Sequence, residues 1–101
     1  MNISVVIPVR NDLGNLRKCI DHIKASKKKP SEILVVDDAS DSDLEDGLSD
    51  RDISFIKLNK QCGPACARNV GAKAAKGDII VFLDSDVFIQ KDTLDKIAYE
   101  F

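Results

Sequence analysis

The sequence predicts an α/β fold, a Rossmann-like parallel sheet held between helices in three α/β/α layers. Four short apolar runs, beginning at Ile3, Ile33, Ile53 and Ile79, are rich in β-branched residues and read as strands. Amphipathic or small-residue stretches separate them, and such alternation produces parallel strands joined by right-handed crossovers. The second and fourth runs end in acids, Asp37-Asp38 and Asp84-Ser85-Asp86.

Ile3 to Val9 is a short buried strand, with Pro8 marking its end because proline cannot donate to a ladder. Asn11 or Asp12 then stands where a helix cap is expected. Leu13, Leu16, Ile20 and Ile23 form one stripe of an amphipathic helix, with His22 off the stripe and on the surface. Lys27-Lys28-Lys29 suits a helix carboxyl end, where cations are favoured, and Pro30 stops the run. Glu32 to Asp38 repeats the strand-then-acid pattern, and Ala39 to Asp43 is turn-like. Leu44 to Leu48 allows one short helix, and Asp50-Arg51-Asp52 is a polar loop. Ile53 to Leu58 is partly polar, which suits an edge strand.

Pro64 fits the first position of a helix that runs on through Ala65 to Ala75. Its small residues allow close approach to the sheet, which is the structural sense of Gly71, and Gly77 closes it. Ile79-Ile80-Val81-Phe82-Leu83 has no polar face and reads as a strand covered on both sides. Leu94, Ile97, Ala98 and Phe101 mark a last amphipathic helix.

An unpaired buried carboxylate costs several kcal/mol, so Asp84 and Asp86 belong where the strand emerges, at the carboxyl edge of the sheet. The acids of the second strand fall on the same edge, where ligands bind in open α/β sheets. Two hard oxygen donors on one strand end suit a divalent cation and, through it, a diphosphate. A solvated Asp-Ser-Asp turn is the plainer reading of the same residues.

Composition narrows the function classes. A net charge of −2, from 15 basic and 17 acidic residues, gives no electrostatic draw toward nucleic acid. The five aromatic residues are scattered and build no base-stacking platform. Cys19, Cys62 and Cys66 fit reduced thiols, placing the protein in the cytoplasm, and a structural zinc lacks ligands. The sequence holds no apolar run near the ~20 residues that span a bilayer. Peripheral membrane contact stays open.

Four segments carry a resemblance: Ser4 to Asn11 (SVVIPVRN), Ile33 to Asp41 (ILVVDDASD), Gly63 to Gly71 (GPACARNVG) and Gly77 to Asp86 (GDIIVFLDSD). In this order and spacing they resemble family 2 glycosyltransferases, inverting enzymes of the GT-A fold that use nucleotide-diphosphate sugars. The resemblance implies that the chain is the nucleotide-binding half of such a domain, truncated before the acceptor half. It places Pro8 and Val9 beside the base, and Asp37 as acceptor from the base ring N–H, usually of uracil. Asp38 is its companion, Ser40 belongs to the following turn, and Arg68 lies near base and phosphates. Asp84 and Asp86 match the Asp-x-Asp motif, with Asp84 toward ribose and metal and Asp86 on Mn²⁺ or Mg²⁺.

The chain departs from the family in two ways. Arg10 stands where an aromatic residue is usual, and Asp12 where a glutamate is. The family's catalytic base lies beyond the Asp-x-Asp motif, so the 101-residue chain is expected to bind donor without transferring sugar. The implied acceptor is a glycan or lipid-linked hydroxyl. An unpaired edge beside the fourth strand would favour self-association.

Other readings remain. A non-catalytic nucleotide-sugar-binding or assembly module has the same sequence features. A phospho-accepting receiver domain would use Leu34 to Asp38 as its acidic pocket and Asp84 as acceptor, but its later hydroxyl and lysine positions need more chain. A dinucleotide-binding fold lacks its Gly-x-Gly-x-x-Gly after the first strand.

Overall fold

The β-branched run at the amino terminus becomes the centre of the sheet. In a computed structural model that describes residues 1–48 and 52–100, the elements are β1 (Ile3–Val9), α1 (Leu13–Lys24), β2 (Glu32–Asp37), α2 (Leu44–Leu48), β3 (Ile53–Lys57), α3 (Pro64–Ala74), β4 (Ile79–Phe82) and α4 (Thr93–Glu100). The polar loop expected at Asp50-Arg51, and Phe101 of the last stripe, lie outside the described residues. The sheet order is β3-β2-β1-β4, all parallel, with Val9 beside Asp37 and Val6 beside Phe82.

Alternation along β1 sorts the layers. Ile3, Val5, Ile7 and Val9 share a core with Leu16, Cys19, Ile20 and Ile23 of α1, Leu44 of α2 and Leu94 of α4. Val6 shares the opposite core with Leu34, Val36 and Ala67 of α3. The chain is thus a three-layer α/β/α sandwich, as its sequence predicts. Each fully buried Leu or Ile contributes roughly 1.5–3 kcal/mol, so the α1 stripe alone fixes that helix to the sheet. Gly71 sits where α3 meets β1 and β2, and a Cβ there would strike Val6.

Three expectations are corrected. Pro8 lies inside β1 rather than at its end. Val6 and Val9 direct their carbonyls toward β4 and β2 respectively, so by alternation Pro8 faces β4. Pairing with β4 stops at Phe82, opposite Val6, and no donor is missed.

β4 is covered only in part: Ile79 and Val81 pack into the first core and Ile80 into the second, while Phe82, at the edge of the sheet, remains exposed.

Cys62 and Cys66 are not free thiols but a disulfide. The Gly63-Pro64 entry into α3 brings their Cα atoms to 5.5 Å, inside the bridging range. Cys19 alone among the described residues is free, and it is buried. The cysteine argument for a reducing compartment therefore lapses.

His22 is on the surface but not idle. Its ring stacks on Phe88 with centroids 5.3 Å apart, and Nδ1 lies 3.3 Å from the Ile89 carbonyl oxygen. Among the described residues no helix is long and apolar enough to cross a membrane.

Candidate functional site

Strand order reverses at β1. The chain steps outward from β1 to β2 and β3, then α3 carries it back across the opposite face to β4. The loops after β1 and β4 consequently diverge, leaving a crevice at the carboxyl edge, the topological switch point of an open α/β sheet. A cavity of about 150 Å³ lies there, lined by Pro8, Val9, Arg10, Asp38, Pro64, Ala67, Asp84 and Ser85. That is below the ~300–1,000 Å³ of a ligand-enclosing pocket, so a nucleotide would be held in part and exposed in part.

Four polar cross-links close a ring around this rim. The Asn11 N–H donates to Ser40 Oγ at 2.9 Å, and the Asn11 amide pairs with Asp41 through bonds of 3.2 and 2.8 Å. The Asp38 carboxylate accepts the backbone N–H groups of Cys62 at 2.7 Å and Gly63 at 3.0 Å. Arg68 of α3 meets Asp84 at 3.5 Å. Ser85 Oγ donates to Asp12 Oδ2 at 3.3 Å. Every loop of the edge is thus tied to its neighbour, which holds the crevice in shape before any ligand arrives.

Two backbone positions bear the cost of this geometry. Asn11 and Ala39 have φ of 56° and 57°, in the left-handed region. Asparagine tolerates it, whereas an alanine there is held only by its surroundings. Asp12 sits at the expected cap of α1 but makes no capping bond, because its carboxylate serves Asn15 and Ser85 instead.

Of the residues singled out in the sequence, Pro8, Val9, Asp38 and Asp84 line the crevice. Asp37 does not: it is buried at the end of β2, where its carboxylate accepts the Ser40 N–H at 3.0 Å. Arg68 stands behind Asp84, and Asp86 is exposed in the turn closed by the Val87 N–H to the Asp84 carbonyl. Pro64, Ala67 and Ser85 line the crevice without having been singled out. The sign available in the sequence was the start of α3, which a right-handed crossover must place at the ligand edge.

Among the described residues no three His, Cys, Asp or Glu side chains gather as a metal cage. Asp84 and Asp86 offer two hard carboxylates, and the Asp84 side chain stays 62% exposed despite Arg68. That set suits Mg²⁺ or Mn²⁺ of the kind bound through one or two carboxylates and completed by substrate phosphates. The residues present fit such an ion.

Residues 4–101 match the sequence model of glycosyl transferase family 2. The chain belongs to this family. It is 38% identical over 97 residues to an uncharacterized glycosyltransferase of Rickettsia felis, covering 92% of this chain and 16% of that protein. It is 34% identical over 102 residues to the uncharacterized glycosyltransferase YwdF of Bacillus subtilis, covering 99% of this chain and 38% of YwdF. Among solved structures, this family 2 chain resembles S. aureus TarS 1-349 in complex with UDP, with a TM-score of 0.88 and 29% identity. That match covers 98% of this chain and 31% of the TarS chain, and TarS 1-349 is also solved with UDP-GlcNAc. The sheet and its helices therefore match part of the GT-A glycosyltransferase fold, and the chain spans well under half of these relatives.

Proposed function

We propose that this chain binds the nucleotide-diphosphate part of a sugar donor, a UDP-sugar, for transfer to an acceptor hydroxyl by the whole protein. The observation that carries the reading is the crevice itself. Residues from the ends of β1, β2 and β4 meet at the switch point of a fold whose TarS counterpart is solved with UDP and with UDP-GlcNAc.

The base end is assigned to the β1 and β2 rim. Pro8 and Val9 supply an apolar wall and Asp38 lines the crevice, while Asp37 holds the turn to Ser40 from behind. The diphosphate end is assigned to Asp84 and Asp86, which would hold Mn²⁺ or Mg²⁺. A cation bound there would neutralise the charge that develops on the diphosphate as it leaves. Arg68, already beside Asp84, adds a fixed positive charge at the same end.

The test is a titration of UDP against UMP, each with and without Mn²⁺. Preference for UDP by about tenfold, roughly 1.4 kcal/mol, that Mn²⁺ strengthens, with the strengthening lost in Asp86→Ala, is the expected result. Equal affinity for UDP and UMP in Mn²⁺ would overturn it.

A further inference from the structure

Arg10 follows directly on β1 at the rim of the crevice, and its surroundings give it work. It is exposed, lines the crevice, and makes no hydrogen bond or ion pair among the described residues. The other charges at the site are committed. Both Asp38 oxygens accept backbone N–H groups, and Asp84 is paired with Arg68. Among the described residues no aromatic side chain lines the crevice. Among the described residues that line the crevice, the Arg10 guanidinium is the positive charge left without a partner.

Its place on the rim says what it meets. β1 lies between β2 and β4, so Arg10, the first residue after β1, stands on the rim between the base end and the metal end. In a nucleoside diphosphate laid across that rim, the phosphates follow the ribose and occupy the middle and far part. A guanidinium is always charged, and its fork of N–H donors matches phosphate oxygens.

We infer that Arg10 is a diphosphate-binding residue, giving this site an affinity for the donor's phosphates that does not depend on the metal. The inference rests on the donor-binding reading above.

Titrations of UDP and of uridine into the chain in EDTA, and again in Mn²⁺, test it on the wild type, Arg10→Gln and Arg10→Lys. In EDTA the wild type should prefer UDP over uridine by about tenfold or more. Arg10→Gln should lose that preference with uridine affinity unchanged, and Arg10→Lys should keep part of it. Thermal midpoints should not move, because the side chain is exposed and unpaired.

The inference is overturned if Arg10→Gln retains the preference, or if it weakens uridine and UDP alike, which would make Arg10 a base-stacking residue. A wild type that prefers UDP only in Mn²⁺ overturns the inference and leaves the donor-binding reading intact. A wild type that binds neither ligand in either condition overturns both.

Discussion

Asp38, at the end of the second strand, holds Gly63 from across the crevice. One carboxylate oxygen accepts the Gly63 N–H at 3.0 Å and the other accepts that of Cys62 at 2.7 Å. Gly63 has φ of +91°, a conformation that side chains disfavour, and it opens directly into α3. A single buried acid thus fixes where the helix that lines the site begins. Removing it leaves two N–H groups without their acceptor.

Asp38→Ala should therefore destabilise the protein by about 1–3 kcal/mol, the usual range for losing a buried charged acceptor. The measurement is urea unfolding at neutral pH. A midpoint unchanged from wild type would show that Asp38 does not position α3.

Gly71→Ala sets two effects against each other. Alanine favours a helix by up to about 1 kcal/mol over glycine, but a Cβ at this position would run into Val6 and crowd Val36. Overpacking typically costs about 1–3 kcal/mol and pushes the helix off the sheet. The net expectation is a lower thermal midpoint, read by circular dichroism. A higher midpoint would mean that α3 has room to rise.

The cysteines should react in a fixed order. Burial, and after it the Asp86 carboxylate, push the Cys19 thiol up to about 11, so its thiolate is scarce near neutral pH. Native protein should show no rapid thiol reaction with an aromatic disulfide reagent at pH 8. Unfolding without reductant should release one thiol, Cys19, and prior reduction should raise the count to three. Three thiols without reductant would rule out the Cys62–Cys66 bridge.

Glu32 should shape the acid limb of stability. The Lys76 backbone N–H, and next the Ser4 hydroxyl, donate to its carboxylate, each at 2.5 Å, holding its pKa below the ordinary 4.5. A lowered folded-state pKa means that the stabilisation is present above about 4.5 and is lost as pH falls through the folded value. Urea midpoints measured downward from pH 6 should fall less steeply below that pH in Glu32→Gln than in wild type. Parallel curves would exclude a role for this carboxylate.

The sequence by itself determined the element order, the parallel sheet, the edge position of β3 and the rim on which the acids would gather. Those follow from β-branched runs, helical stripes and the handedness of crossovers, all of which are local or nearly so. Tertiary structure decided what each rim residue does. Asp37 and Asp38 are adjacent and alike in sequence, yet one turns inward to Ser40 and the other reaches across to Cys62 and Gly63.

The same is true of β4, whose five-residue apolar run looked fully covered. Phe82 is exposed because β4 stands at the edge of the sheet beside β1 alone, and strand order is a matter of chain path that no local pattern records. The Cys62–Cys66 bridge likewise depends on a turn at Gly63 that brings the two Cα atoms together. Periodicity reports which way a side chain faces, but only the packed fold reports what stands opposite it.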